Sequence, residues 1–227
     1  MKWFFGAISS ISVILIVLYV SIHIPTFSIA TYTNHYYVNE TAQLIQVSEE
    51  DLIMVTQRLL GYIRGVYPDL LIYATIGGEV RQFFNQREID HMEDVLLLFR
   101  IGRILLGVSI FAFFLTLFWA YKNRAFQTIA KANFIGGLLV LSYCALLMWL
   151  FATNFERHFI IFHEIFFFFD YELTWRLNPS TDLLINMVPE IFFINIFTTV
   201  ALIFFGAILA ITLASFAYII WGKKELL

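Results

Sequence analysis

The stretch Leu105-Leu106-Gly107-Val108-Ser109-Ile110-Phe111-Ala112-Phe113-Phe114-Leu115-Thr116-Leu117-Phe118-Trp119-Ala120-Tyr121 carries no charge and is closed by Lys122-Asn123-Arg124. A helix of roughly 20 such residues crosses the hydrocarbon core of a bilayer, because every backbone group is satisfied within the helix. Three further stretches have the same character: Trp3 to Ile22, Phe134 to Phe151 and Ile194 to Trp221. With their flanks, the four spans cover about 3–23, 100–121, 133–153 and 191–221. The residues from Lys122 to Lys131 leave room only for a tight polar turn, whereas 25–98 and 154–190 are two large segments between spans. The expected fold is an all-α integral membrane protein, one membrane domain over 1–227, with helical or irregular segments between spans one and two and between spans three and four.

Composition agrees with that reading. Hydrophobic residues make up 60% of the 227, more than a water-facing surface tolerates. The net charge of -3 is far from the basic footprint of a nucleic-acid binder.

Positive residues in short loops are retained in the cytoplasm. Lys2, the Lys122/Lys131 turn with Arg124, and Lys223-Lys224 all fall on one side if the chain crosses four times, which places both termini inside. Almost all carboxylates then lie outside, with Glu225 the exception. Outer Arg58, Arg64, Arg81, Arg87, Arg157 and Arg176 lie among those acids and read as paired or solvated. Arg100 and Arg103 enter the outer interface against the lysine pattern, and either snorkel to headgroups or grip a lipid or substrate headgroup. Ser28-Ile29-Ala30 offers small residues at cleavage-like spacing, but the preceding apolar run is longer than a signal-peptide core of about 7–15 residues, and an uncleaved first helix is simpler. Cys144, the one cysteine, lies mid-span, where it has no intramolecular disulfide partner and a lipid-buried thiol is a poor nucleophile.

In the first outer segment the polar stretch from Pro25 to Asn39 reads as irregular. Ser48 opens a helix whose Glu49, Glu50 and Asp51 suit its first turn. Leu52, Val55, Leu59, Ile63 and Val66 form its apolar stripe, and Gly65 with Tyr67-Pro68 ends it. Gly77-Gly78 marks a turn. Asn85 followed three residues later by Glu88 is an N-cap pattern, and the helix it starts runs without a proline through His91 and Asp94 into the second span. In the second outer segment Phe155, Phe159, Phe162, Phe166 and Phe169 recur at helical spacing, interrupted by Arg157, His158, Glu164 and Asp170, as in a helix lying in the membrane interface.

Five histidines are present. His23 ends a helix and His35 sits in a polar stretch beside tyrosines, so both read as interfacial or solvated. His158 and His163 are about 140° apart on a helix, so at most one faces a common site. His91 and His163 stand on outer elements anchored to the spans, either as two independent packing residues or as an acid–base pair near neutral pH. His91, Asp94, His163 and Glu164 are also potential zinc ligands, but Phe167 stands where a zincin helix needs its second histidine. A G-x-S-x-G elbow is missing, and the spans lack the mid-depth ionisable residues of ion-coupled transport.

The segment Phe84-Asn85-Gln86-Arg87-Glu88-Ile89-Asp90-His91-Met92-Glu93-Asp94-Val95 resembles the F-x-x-x-E-x-x-H-M-x-D-V stretch of the lipoprotein intramolecular transacylase family. Phe162-His163, Phe166-Phe167, Trp175, Pro179, Asp182, Leu184-Ile185, Pro189-Glu190 and Phe193 resemble that family's second outer segment. The rest of the first outer segment matches only loosely. The resemblance implies a bacterial plasma-membrane enzyme that moves an acyl chain from the S-linked diacylglyceryl group of a lipoprotein to the α-amino group of its N-terminal cysteine, leaving a lyso-form lipoprotein. It carries the catalytic pair onto His91 and His163 and implies no cofactor, with diacylated lipoprotein and membrane lipid as partners. The expectation is that one histidine takes the amine proton while the other, protonated, stabilises the oxyanion. Asp94, Arg100, Arg103, Phe162, Phe166 and Trp175 are the candidate supporting residues. A noncatalytic scaffold docking through the Phe-rich segment and a metal-dependent membrane hydrolase are the alternatives.

Overall fold

The computed structural model describes residues 1–170 and 172–224, so Glu225, read above as a cytoplasmic residue, lies outside the described residues. In chain order the elements are α1 (Lys2–Thr26), α2 (Ile29–Val38), α3 (Thr41–Leu44), α4 (Glu49–Arg64), β1 (Tyr73–Ile76), β2 (Glu79–Gln82), α5 (Gln86–Lys122), α6 (Phe126–Thr153), α7 (Phe155–Phe166), α8 (Leu183–Met187) and α9 (Glu190–Lys224). Among the described residues, helices α1, α5, α6 and α9 are the ones long and apolar enough to cross a membrane. The chain falls into two compact units: Met1–His23 with Gly102–Thr153 and Thr198–Leu227, and Ile24–Ile101 with Asn154–Phe197.

The first unit is a bundle of the apolar helix segments, closed where small residues let backbones approach. A Cβ on Gly136 would collide with the Ser10 hydroxyl, and one on Gly137 with the Thr212 hydroxyl, so these two glycines seat α6 against α1 and α9. Phe5 stacks on Trp119 at 4.2 Å between ring centroids. Phe111, Phe118, Leu139 and Trp149 point outward and remain exposed, an arrangement that suits lipid as solvent.

The second unit has its own core. In α4 the Ser48 hydroxyl accepts from the Asp51 N–H at 3.0 Å, and Gly65 closes the helix at φ 79°. Leu52, Val55, Leu59 and Ile63 are buried as the stripe requires, but Val66 is exposed, because the chain has left the helix by then. β1 and β2 pair antiparallel across Gly77-Gly78, with Ile76 opposite Glu79. That two-residue turn needs positive φ at both positions, and the two glycines adopt 62° and 90°. The hairpin is a strand element the all-helical expectation did not include.

The stretch read as irregular is helical instead. α1 runs one residue past Pro25, and α2 follows from Ile29. Tyr32, His35 and Tyr36 fall on one face of α2 and are all buried, so burial of that face rather than intrinsic propensity decides the structure. His35 is therefore not a solvated residue. Its ring packs against Phe192 at 5.2 Å, and its Nδ1 lies 3.1 Å from the Asn39 amide nitrogen.

Candidate active site

The expected cap opens α5. The Asn85 N–H donates to Glu88 Oε2 at 2.7 Å and the Glu88 N–H donates to the Asn85 side-chain oxygen at 3.1 Å, a reciprocal capping box. Glu88 does more than cap. It is 1% exposed, and its Oε1 accepts the Leu184 N–H at 2.6 Å. Asp182, just ahead of α8, accepts the Asn85 side-chain amide at 2.9 Å, the Asn178 N–H at 2.7 Å and the Thr181 hydroxyl at 2.8 Å. This carboxylate pair ties the start of α5 to the start of α8 and fixes the first turn of the helix that presents His91.

His163 arrives on α7, where the Asn154 side chain caps the Arg157 N–H at 3.0 Å. Phe169 lies beyond the end of α7, so the aromatic stripe is helical only through Phe166. Both imidazoles are buried, and their ring centroids are 6.3 Å apart. Phe167 lies beside both, at 5.3 Å from His91 and 5.5 Å from His163. His163 also meets Phe159 at 4.2 Å, Phe162 at 5.5 Å and Trp175 at 5.1 Å, the last nearly parallel. Together these groups line a cavity of about 320 Å³ walled by Phe99, Phe192 and Phe193. A larger cavity of about 580 Å³ beside α2 and α4, lined by Tyr36, Tyr37, Glu40 and Glu49, contains no histidine.

His163 Nδ1 sits 2.7 Å from the carbonyl oxygen of Phe159. A carbonyl only accepts, so Nδ1 carries the proton and the neutral ring keeps its lone pair on Nε2. Burial pulls the His163 pKa below the usual imidazole range, partly offset by that hydrogen bond. His91, on the part of α5 that precedes the apolar span, is pushed down to about 4 by burial and by the neighbouring His163, with Asp170 acting in the opposite direction. Both rings are thus neutral at pH 7. Buried Nδ1 of His91 and buried Nε1 of Trp175 have no hydrogen-bond partner among the described residues, at a cost of about 1–3 kcal/mol each.

The other candidates divide. Phe162 and Trp175 line the cavity; Asp94, Arg100, Arg103 and Phe166 do not. Asp94 makes no hydrogen bond to either imidazole among the described residues. Its pKa is raised first by burial, then by Asp170, Glu93 and Asp90. Arg100 is exposed, and Phe166 is 45% exposed while its ring packs tilted against Phe162 at 4.5 Å. His158 turns back to the carbonyl of Asn154 at 2.7 Å and does not line the cavity. Glu164 pairs with Arg176 at 3.7 Å on the surface, and no three His, Cys, Asp or Glu side chains among the described residues are placed to hold a metal ion. Sequence reasoning missed Asp170 as the acid acting on His91. Its carboxylate is held by the Thr174 N–H at 2.7 Å and the Thr174 hydroxyl at 2.8 Å. It also missed the Phe159 carbonyl, whose place four residues before His163 on one helix was legible.

Comparison with known proteins bears on the fold and the family. The chain superposes on the in meso structure of the membrane-integral lipoprotein intramolecular transacylase Lit from Bacillus cereus with a TM-score of 0.82, at 17% identity over 99% of this chain and 98% of that one. Two structures of that protein with one histidine changed, to arginine and to alanine, each give a TM-score of 0.76 at 18% identity, covering 100% and 99% of this chain and 95% and 96% of theirs. At such identities the likeness speaks for the fold, a multi-pass helical membrane protein. No curated protein matches the sequence. The family description "Lipoprotein intramolecular transacylase Lit" matches residues 7–193, which include His91, His163 and the capping residues of their helices, and the chain accordingly belongs to the lipoprotein intramolecular transacylase family.

Proposed function

We propose that the chain transfers an acyl chain from the S-linked diacylglyceryl group of a lipoprotein to the α-amino group of the same molecule's N-terminal cysteine, with His91 and His163 as its catalytic residues. The observation that carries this reading is the pairing of the two imidazoles at 6.3 Å in an aromatic cavity, with Phe159 holding the proton on His163 Nδ1. The substrate brings both nucleophile and ester, so the protein need only hold them together and move a proton.

In this mechanism the neutral amine nitrogen bonds to the ester carbonyl carbon and its proton passes to His163 Nε2. The carbon–oxygen bond to the glyceryl group then breaks, and the leaving oxygen receives that proton from His163. An amide and a free glyceryl hydroxyl result, with no bond to the protein and no water consumed. His91 acts as a neutral N–H donor to the oxyanion. This departs from the protonated partner expected from sequence, because burial and the neighbouring His163 hold the ring below protonation at neutral pH. The lysine pattern puts the reaction on the extracytoplasmic face of the plasma membrane, with diacylated lipoprotein and lipid as its partners.

The test is fragmentation mass spectrometry of a defined diacylated lipopeptide after incubation with the purified protein, since an internal acyl shift leaves total mass unchanged. Fragments carrying the chain on the α-amine support the reading, and unchanged substrate with folded protein refutes it. The pH dependence supplies a further prediction. The attacking α-amine has an ordinary pKa of about 7.7–8.0, whereas His163 is displaced below 6.5. From pH 6.5 to 7.5 kcat/KM should rise about sevenfold as the amine deprotonates. The slope should steepen only at more acid pH, where His163 also gains a proton. A profile that falls as pH rises through 7 would mean a protonated histidine is required and would refute the neutral-donor role.

A further inference from the structure

We propose that the indole N–H of Trp175 is a catalytic hydrogen-bond donor to the carbonyl oxygen under attack, the second donor of an oxyanion site whose first donor is His91. The proposal rests on the transacylase reading above and gives a specific chemical role to a residue named from sequence only as supporting. Nε1 of Trp175 is buried and finds no acceptor among the described residues. An indole nitrogen only donates, so the acceptor that pairs it must be brought in. Buried N–H groups are nearly always paired, and an orphan in a folded protein calls for a reason.

Its surroundings supply one. Trp175 lines the same cavity as both histidines. Its ring is fixed by stacking on His163 at 5.1 Å and by the Arg176 guanidinium 4.9 Å from its centroid. The backbone just before it is pinned by the two hydrogen bonds from Thr174 to Asp170. Other aromatic donors of the lining are already engaged. The Tyr32 hydroxyl donates to the Thr26 carbonyl at 3.0 Å, and His163 Nδ1 donates to Phe159. The Trp175 N–H and His91 remain, beside the ring that takes the amine proton. As the amine adds to the ester, the carbonyl oxygen gains charge that two fixed donors in an apolar cavity stabilise more than they stabilise the ester itself. When the intermediate collapses, the oxyanion's electron pair re-forms the carbonyl, the glyceryl oxygen leaves with the bonding pair and takes its proton from His163, and the indole neither gains nor loses a proton.

The experiment replaces Trp175 in the full-length chain with 3-benzothienylalanine, which keeps ring shape and stacking and loses only the N–H, with Trp175→Phe alongside. Rates are measured on the defined diacylated lipopeptide. The expected result is a kcat lower by about 10²–10³-fold, with KM changed by less than about twofold, the shape of the pH profile unaltered and the melting temperature of the isostere variant unmoved. Wild-type kcat in the isostere variant overturns the proposal and leaves the transacylase reading standing, as does a rise in KM alone. A wild-type chain that forms no α-amide overturns the transacylase reading and this proposal with it.

Discussion

His163→Ala should lower turnover of a diacylated lipopeptide by about 10²–10⁴-fold, the range for loss of a positioned acid–base group, while the protein stays folded. His163 is the better base of the pair because its proton is already committed: Nδ1–H is held by the Phe159 carbonyl at 2.7 Å, and the lone pair is left on Nε2. His163→Asn fills part of the same space without a basic nitrogen and should be as inactive as alanine, which separates chemistry from packing. His91→Ala removes a donor rather than the base, so a loss of about 10²–10³-fold is expected. The double variant should sit near His163→Ala alone, because groups acting on one step are not additive. Wild-type turnover in folded His163→Ala would refute the acid–base role of His163, whereas absence of turnover in the folded wild-type chain would leave the scaffold reading as the better one.

The spans were legible because lipid makes a demand that composition answers directly: long uncharged stretches flanked by Lys2, Lys122, Lys131 and Lys223. The α5 cap was legible because Asn85 and Glu88 satisfy backbone donors through local spacing alone. His91 and His163 stood out because each was tied to a rigid element. What escaped depended on contacts distant in sequence. Tyr32, His35 and Tyr36 carry a helical spacing, but their polar atoms disguised a buried face that exists only because residues such as Phe192 cover it. Asp170 looked like an interruption of a phenylalanine stripe, and only the turn pinned by Thr174 brings its charge to bear on His91. Asp94 misled for the converse reason: three residues from His91 on one helix, it was the local choice, yet it bonds to neither imidazole. Arg100 and Arg103 read either as snorkelling to headgroups or as gripping one, and neither lines the cavity.

The largest stability effect is expected at a residue that never touches the cavity. Glu88→Ala removes the acceptor for the N–H groups of Asn85 and Leu184, at 2.7 Å and 2.6 Å, and leaves the second of these without a partner in a buried place. At about 1–3 kcal/mol for the stranded Leu184 donor and about 1 kcal/mol for the bond lost at Asn85, the unit formed by Ile24–Ile101 and Asn154–Phe197 should lose about 2–4 kcal/mol, a large share of the stability of an ordinary domain. Glu88→Gln keeps one acceptor oxygen and should lose about half as much. Burial raises the Glu88 pKa despite its backbone hydrogen bonds, so its contribution is fullest below the ordinary carboxylate range and declines as pH rises through the raised value. Asp182 has the opposite sign. Burial pushes it up, but hydrogen bonds from Asn178, Thr181 and Asn85 and the charge of Arg87 outweigh that and leave it lowered. Its contribution is present above the ordinary range and is lost as pH falls through the lowered value. Amide hydrogen exchange of the wild type, Glu88→Gln and Glu88→Ala, read at Leu184 and along the first turns of α5, checks both the order and the sign. Faster exchange at the start of α5 should be accompanied by slower transacylation, because the carboxylate clamp aims the helix carrying His91, and unchanged protection at Leu184 in Glu88→Ala would show that the clamp does not hold that helix.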